Sequence, residues 1–131
     1  MSESTECWLA FASEDLQMAE FALNAKIYNQ VCFHAQQCVE KVFKGLLAKL
    51  GRTIPRTHSI TDLLEKLPQD WYPDLRDDLA MLDDFYIPAR YPDALPGSLP
   101  EGLPSETDAT QTLALAQSVM DEARRLIRSA S

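Results

Sequence analysis

The stretch from Ile27 to Leu50 constrains the fold of this chain more than any other part of it. Wound as a helix at about 100° per residue, Val31, Ala35, Cys38, Val39, Val42, Phe43, Leu46 and Leu50 fall within one arc of about 140°. His34, Gln36, Gln37, Glu40, Lys41 and Lys44 fill the opposite side. The result is a long two-faced helix. Gly51 is a natural residue to stop it, because glycine takes the left-handed conformation without steric cost. The polar side carries amides, cations and an imidazole in place of the usual scatter of glutamate and lysine, a set suited to an anion or a partner.

Other helices are expected around it. Ser4 or Thr5 caps a first helix, with Glu6 in its positively polarised first turn. Trp8, Ala12, Leu16, Ala19 and Leu23 line one face of it, and Asp15 stands at the edge of that stripe, where a carboxylate finds a partner or costs stability. Phe11, Met18 and Ala22 form a second apolar strip, more than one helix contact needs, which points to a second buried contact, of which a subunit interface is one form. After a connector over 52–57, Ile60, Leu63, Leu64 and Leu67 mark a short third helix from Ser59 to Leu67. A fourth, from Pro73 to Phe85, packs Leu75, Leu79, Leu82 and Phe85 or Tyr86.

Five of the eight prolines (Pro88, Pro92, Pro96, Pro100 and Pro104) recur every four residues, a spacing no α-helix survives. A long loop is expected there, ordered from Ile87 to Asp93 and mobile beyond. Ser105 or Thr107 then caps a last helix reaching Arg128, with Leu113, Ala116, Val119, Met120, Ala123, Leu126 and Ile127 as its buried stripe. Arg124, Arg125 and Arg128 suit its negative C-terminal end. No segment reads as a strand and none repeats. The expected fold is all-α: an up-and-down antiparallel bundle of four or five helices, with a long Pro-rich loop before the last, in a single domain over residues 1–131.

Composition bounds the function. At 131 residues and 46% apolar, the chain can bury a core without disulfide or metal. No apolar run approaches the ~20 residues of a membrane span. The acidic start, Met1 to Glu6, lacks the basic region of a secretion signal, so a cytoplasmic protein is expected. Cys7, Cys32 and Cys38 are odd in number and lack C-x-x-C spacing, which fits buried or half-buried free thiols. A net charge of −8 argues against a general nucleic-acid binder, which needs a positive field. The charge is uneven, however. Residues 26–58 hold six Lys and Arg against Glu40 alone, a balance of +5, while residues 62–108 hold twelve acids against three cations, a balance of −9. Both histidines, His34 and His58, lie in the basic segment, so a local basic site is expected and a long basic groove is not.

Three runs carry a resemblance: Phe33-His34-Ala35-Gln36-Gln37-Cys38-Val39-Glu40-Lys41-Val42-Phe43-Lys44, then Arg56-Thr57-His58-Ser59-Ile60-Thr61-Asp62-Leu63-Leu64, then Ile87-Pro88-Ala89-Arg90-Tyr91-Pro92-Asp93. With Asp15-Leu16 in the first helix, their order and spacing over residues 6–127 resemble the HEPN family, the "higher eukaryotes and prokaryotes nucleotide-binding" domains. The resemblance implies an up-and-down helical bundle that commonly forms a homodimer. It also implies a minimal nucleotidyltransferase as partner, in a toxin–antitoxin-like system. Many members are ribonucleases with an Arg-x4-6-His motif late in the domain; others are binding modules. Here Arg90 is the nearest late arginine, and Leu95, Pro96 and Gly97 stand where the histidine belongs. Arg52 and His58 match the spacing, but in the connector after the second helix.

Each candidate residue has a structural and a functional reading. His34, Gln37 and Lys41 are either a solvated or core-edge strip or a nucleotide-phosphate contact. His58, just before a helix start that attracts anions, either shapes the connector or binds phosphate. Arg90 and Tyr91, between prolines, form either a tertiary anchor, through Asp15 or Asp93, or a preformed phosphate contact. Asp15 is expected to pair with a cation or hydroxyl, and Glu40 with Lys44 one turn on. If the protein is a metal-independent ribonuclease, His58 and Arg90 are the catalytic candidates, with Arg52 next. No cofactor or metal is expected: the Glu-x-x-His pairs of di-iron bundles and a phosphate-cradling glycine loop are both missing from the sequence.

Overall fold

The helix that anchors the sequence also anchors the molecule. In a computed structural model, which describes residues 3–85 and 103–129, α1 (Glu3–Asn24) and α2 (Tyr28–Lys49) form the main antiparallel pair. α3 (Ile60–Glu65) and α4 (Arg76–Ala80) are short, a 3₁₀ turn covers Met81–Phe85, and α5 (Glu106–Ser129) closes the bundle. α2 is central: it packs against α1, α5, α3 and the 3₁₀ turn. Every described element is helical, as the sequence requires.

The α1–α2 and α2–α3 links begin with the same device. Gly51, at φ 70°, donates to Ala48, and Arg52 donates to Leu47, which ends α2 with two backbone bonds that satisfy its last carbonyls. Lys26, at φ 61°, donates to Leu23, and Ile27 donates to Ala22, so α1 ends the same way without a glycine. A β-carbon in that region costs about 1–2 kcal/mol, which the two bonds and the burial of α2 offset. Gly45 lets α1 lie close on α2, because an added Cβ would meet Trp8 Cβ at 3.1 Å.

The core draws on every helix, including Ala12, Val31, Val39, Phe43, Leu46, Leu63, Leu79, Leu82, Val119 and Met120. The stripe expected on α5 is buried throughout. Tyr72 pins the turn after α3, donating through its hydroxyl to Val119 at 2.8 Å and tilting its ring on Phe43 at 5.4 Å. Ser105 and Asp108 exchange side-chain and backbone bonds at 3.1 and 3.0 Å, fixing the start of α5 at Ser105.

Several expectations need correction. α1 starts at Glu3 and Thr5 lies inside it, fully buried, so neither Ser4 nor Thr5 is the cap. The expected fourth helix is split into α4 and the 3₁₀ turn, and the third is shorter than the pattern implied. Ala22 belongs to the core and not to the outer strip of α1. Gln36, Glu40 and Lys44, placed on the polar side of α2 opposite its apolar arc, are buried. The reason is position: a helix with neighbours on most sides buries its polar residues too, provided they find partners. Among the described residues, no buried side-chain nitrogen or oxygen lacks one. Cys32 and Cys38 are buried free thiols, whereas Cys7 is exposed. The proline-rich run, with Arg90 and Tyr91, lies outside the described residues.

Candidate functional site

Two carboxylates organise the polar side of α2. Asp15 reaches across from α1, where its place beside the apolar stripe leaves it buried. Its Oδ1 lies 2.9 Å from His34 Nδ1, and its Oδ2 accepts from Lys41 Nζ. His34 and Lys41 are seven residues apart on α2, two turns, so one carboxylate can serve both. A carboxylate only accepts, so the neutral His34 ring carries its proton on Nδ1 and keeps Nε2 as a basic nitrogen.

Glu40 repeats the pattern. Its Oε2 accepts from Lys44 Nζ at 3.0 Å, one turn along, and its Oε1 lies 3.1 Å from His58 Nδ1. Lys44 Nζ also sits 5.6 Å from the centre of the Trp8 ring, a cation–π contact with α1. Both histidines are therefore oriented in the same sense, by a buried carboxylate on Nδ1. Between the two clusters runs an amide relay: Gln37 Nε2 donates to Gln36 Oε1 at 2.7 Å, and Gln36 Nε2 donates to the His58 carbonyl at 3.1 Å. Gln37 stands one turn from both His34 and Lys41, so His34, Gln37 and Lys41 share one ridge of α2.

The helix start beside His58 is already served. Ser59 caps α3 by accepting from the Asp62 amide at 3.2 Å. Asp83, from the 3₁₀ turn, accepts from the amides of Ile60 and Thr61 and from the hydroxyls of Ser59 and Thr61. The anion expected at this position is thus the chain's own carboxylate. A shallow depression of about 400 Å³ beside it is lined by Arg56, Thr57, His58, Ser59 and Asp83. Arg52 donates to the Lys66 carbonyl and so ties the connector to the end of α3. A larger cleft of about 480 Å³ lies between α4, the 3₁₀ turn and α5, and neither histidine lines it.

The structure therefore joins His34, Gln37 and Lys41 into one strip and links His58 to it through Gln36; Arg90 and Tyr91 lie outside the described residues. Asp15 is paired, as its place beside the apolar stripe requires. Sequence reasoning missed the grip of Glu40 on His58 and the Asp83 cap, since nothing local signals a contact across 18 or 23 positions. Among the described residues, no group of three or more His, Cys, Asp and Glu is placed to hold a metal ion. Burial pushes the Cys32 thiol up to about 11 and the Cys38 thiol up to about 12, so both stay protonated and unreactive at neutral pH. No described helix is long and apolar enough to cross a membrane.

Comparison with known proteins adds to this picture. The model of the HEPN domain matches residues 5–126. "Putative toxin MJ1304" of Methanocaldococcus jannaschii is 30% identical over 121 residues, covering 84% of this chain and 79% of its own length. The crystal structure of ST0689, an archaeal HEPN homologue, superposes with a TM-score of 0.76 at 34% identity, covering 97% of this chain and 99% of that one. That of TT1696 from Thermus thermophilus gives 0.78 at 34% identity, covering 95% and 98%.

Proposed function

The chain belongs to the HEPN domain family, and from that premise we propose that it is a nucleotide- or RNA-associated binding and dimerisation module. Its partner in this reading is a minimal nucleotidyltransferase, in a toxin–antitoxin-like system of the cytoplasm. One observation carries the ligand part: Asp15 holds an imidazole and an ammonium in line on α2, and Gln37 stands between them along the helix. A phosphate oxygen there takes a donor from Lys41 and from Gln37, and His34 adds a third when protonated. His58, Arg90 and Tyr91 are the further contacts proposed for the rest of the ligand. Calorimetric titration of the dimer with AMP, ATP and a short single-stranded RNA tests this. Binding that weakens with salt at a log–log slope of roughly −0.7 per phosphate contact is the expected result. Absence of binding, with no nucleotidyltransferase recovered alongside the chain, would sink it.

A second reading is a metal-independent ribonuclease, favoured by the relative named as a toxin and by the Glu40-oriented His58 ring. His58 Nε2 is then the general base and Arg90 stabilises the developing phosphate charge, with Arg52 next in line. RNA cleavage that survives the double change His58→Ala with Arg90→Ala rules it out.

A further inference from the structure

The outer face of α1 is an apolar row with no covering element among the described residues. Phe11, Met18 and Phe21 are 53%, 50% and 66% exposed. Cys7, Glu14 and Ala25 are exposed in line with them. Residues 7, 11, 14, 18, 21 and 25 step alternately by four and three, the spacing at which one helix packs lengthwise along another. Single exposed apolar residues are ordinary, whereas an aligned row of this kind is an interaction surface.

We infer that this row docks an amphipathic helix of a different protein, with an apolar seam and a lysine or arginine at its centre. Glu14 decides the occupant, because it lies in the middle of the seam. α1 carries Glu3, Glu6, Glu14, Asp15 and Glu20 and has no lysine or arginine. Asp15 is committed to His34 and Lys41. A second copy docked antiparallel, about a two-fold axis through the middle of the row, sets Phe11 against Phe21 and Glu14 against Met18. That buries two carboxylates with no cation from either helix. Parallel docking sets the two Glu14 carboxylates against each other. Both arrangements are strongly disfavoured, since a buried charge needs an opposite partner. A foreign helix that brings an ammonium or guanidinium to Glu14 removes the penalty, and the same glutamate then selects against self-pairing. The inference goes beyond the nucleotide-binding reading and holds without it, because the row uses none of His34, Gln37, Lys41 or His58.

The test uses two synthetic leucine-seamed peptides of about three heptads, identical except for lysine or glutamate at the central seam position. Each is titrated by fluorescence anisotropy with the full chain, and the chain alone is examined by sedimentation. The lysine peptide is expected to form a one-to-one complex, with the glutamate peptide about tenfold weaker or worse. Phe21→Asp should abolish the complex and Glu14→Lys should reverse the preference, with circular dichroism unchanged in both variants. A dimer of the chain that survives Phe21→Asp leaves the row free and agrees with the inference. Failure of the lysine peptide to bind, equal binding of both peptides, or a dimer that dissociates on Phe21→Asp overturns it.

Discussion

The same three groups, a carboxylate, an imidazole and an amine, meet twice along α2, and the two meetings are built differently. At Asp15 the carboxylate crosses from α1, and the Asp15, His34 and Lys41 side chains are 11%, 20% and 28% exposed. At Glu40 the carboxylate and amine both belong to α2, 5% and 10% exposed, while His58, on the connector, is 53% exposed. The first is a joint between two helices that water can reach at the amine. The second is a buried ion pair on which an outlying imidazole rests. Equal chemistry therefore divides into an accessible joint and a strut, and the depth at which the carboxylate and amine are buried makes the division.

Breaking the strut should have the largest effect. Glu40→Ala leaves the Lys44 ammonium buried without its carboxylate and is expected to cost about 3–5 kcal/mol, read from the urea midpoint. Asp15→Ala should cost less, about 1–2 kcal/mol, because Lys41 can turn toward water. A greater loss at Asp15 than at Glu40 would invert the comparison.

Ligand titration sharpens it from the other side. His34→Ala and Lys41→Ala are each expected to weaken nucleotide binding about ten- to a hundredfold, the size of one lost hydrogen bond to a charged group. His58→Ala should matter less to binding than either. Equal losses at all three would join the clusters into one site.

The smallest effect concerns Cys38, raised by burial first and by the Asp15 charge second. One thiol, Cys7, should react with a maleimide at pH 8 in the folded chain, and all three in urea. Because the folded values of Cys32 and Cys38 exceed their ordinary 9.0, their contribution to stability is whole below pH 9. It is lost as pH rises through about 11 and about 12. Asp15→Asn should lower the Cys38 value, so that its alkaline loss is smaller and complete at a lower pH, while Cys32 stays as it was.

Helix number, order and apolar stripes were legible because helical period and capping are local properties. The Ser105 cap, the Gly51 stop and the core face of α5 all lie within a few residues of the signal that announces them. The stop at Lys26 was not legible, since a lysine gives no warning of a left-handed conformation. Nor was the division of the polar face of α2. A helical wheel places Gln36, Glu40, Lys41 and Lys44 together as polar and cannot tell which of them a neighbouring helix will cover.

By itself, then, the sequence determined an all-helical bundle around one long two-faced helix, because burying that apolar arc leaves a chain of this length few alternatives. Only the tertiary structure decided the partners of the polar groups. It gave Asp15 to His34 and Lys41, Glu40 to Lys44 and His58, and Asp83 to the start of α3. Those choices rest on distance and desolvation between segments far apart in the chain, and periodicity carries no record of either.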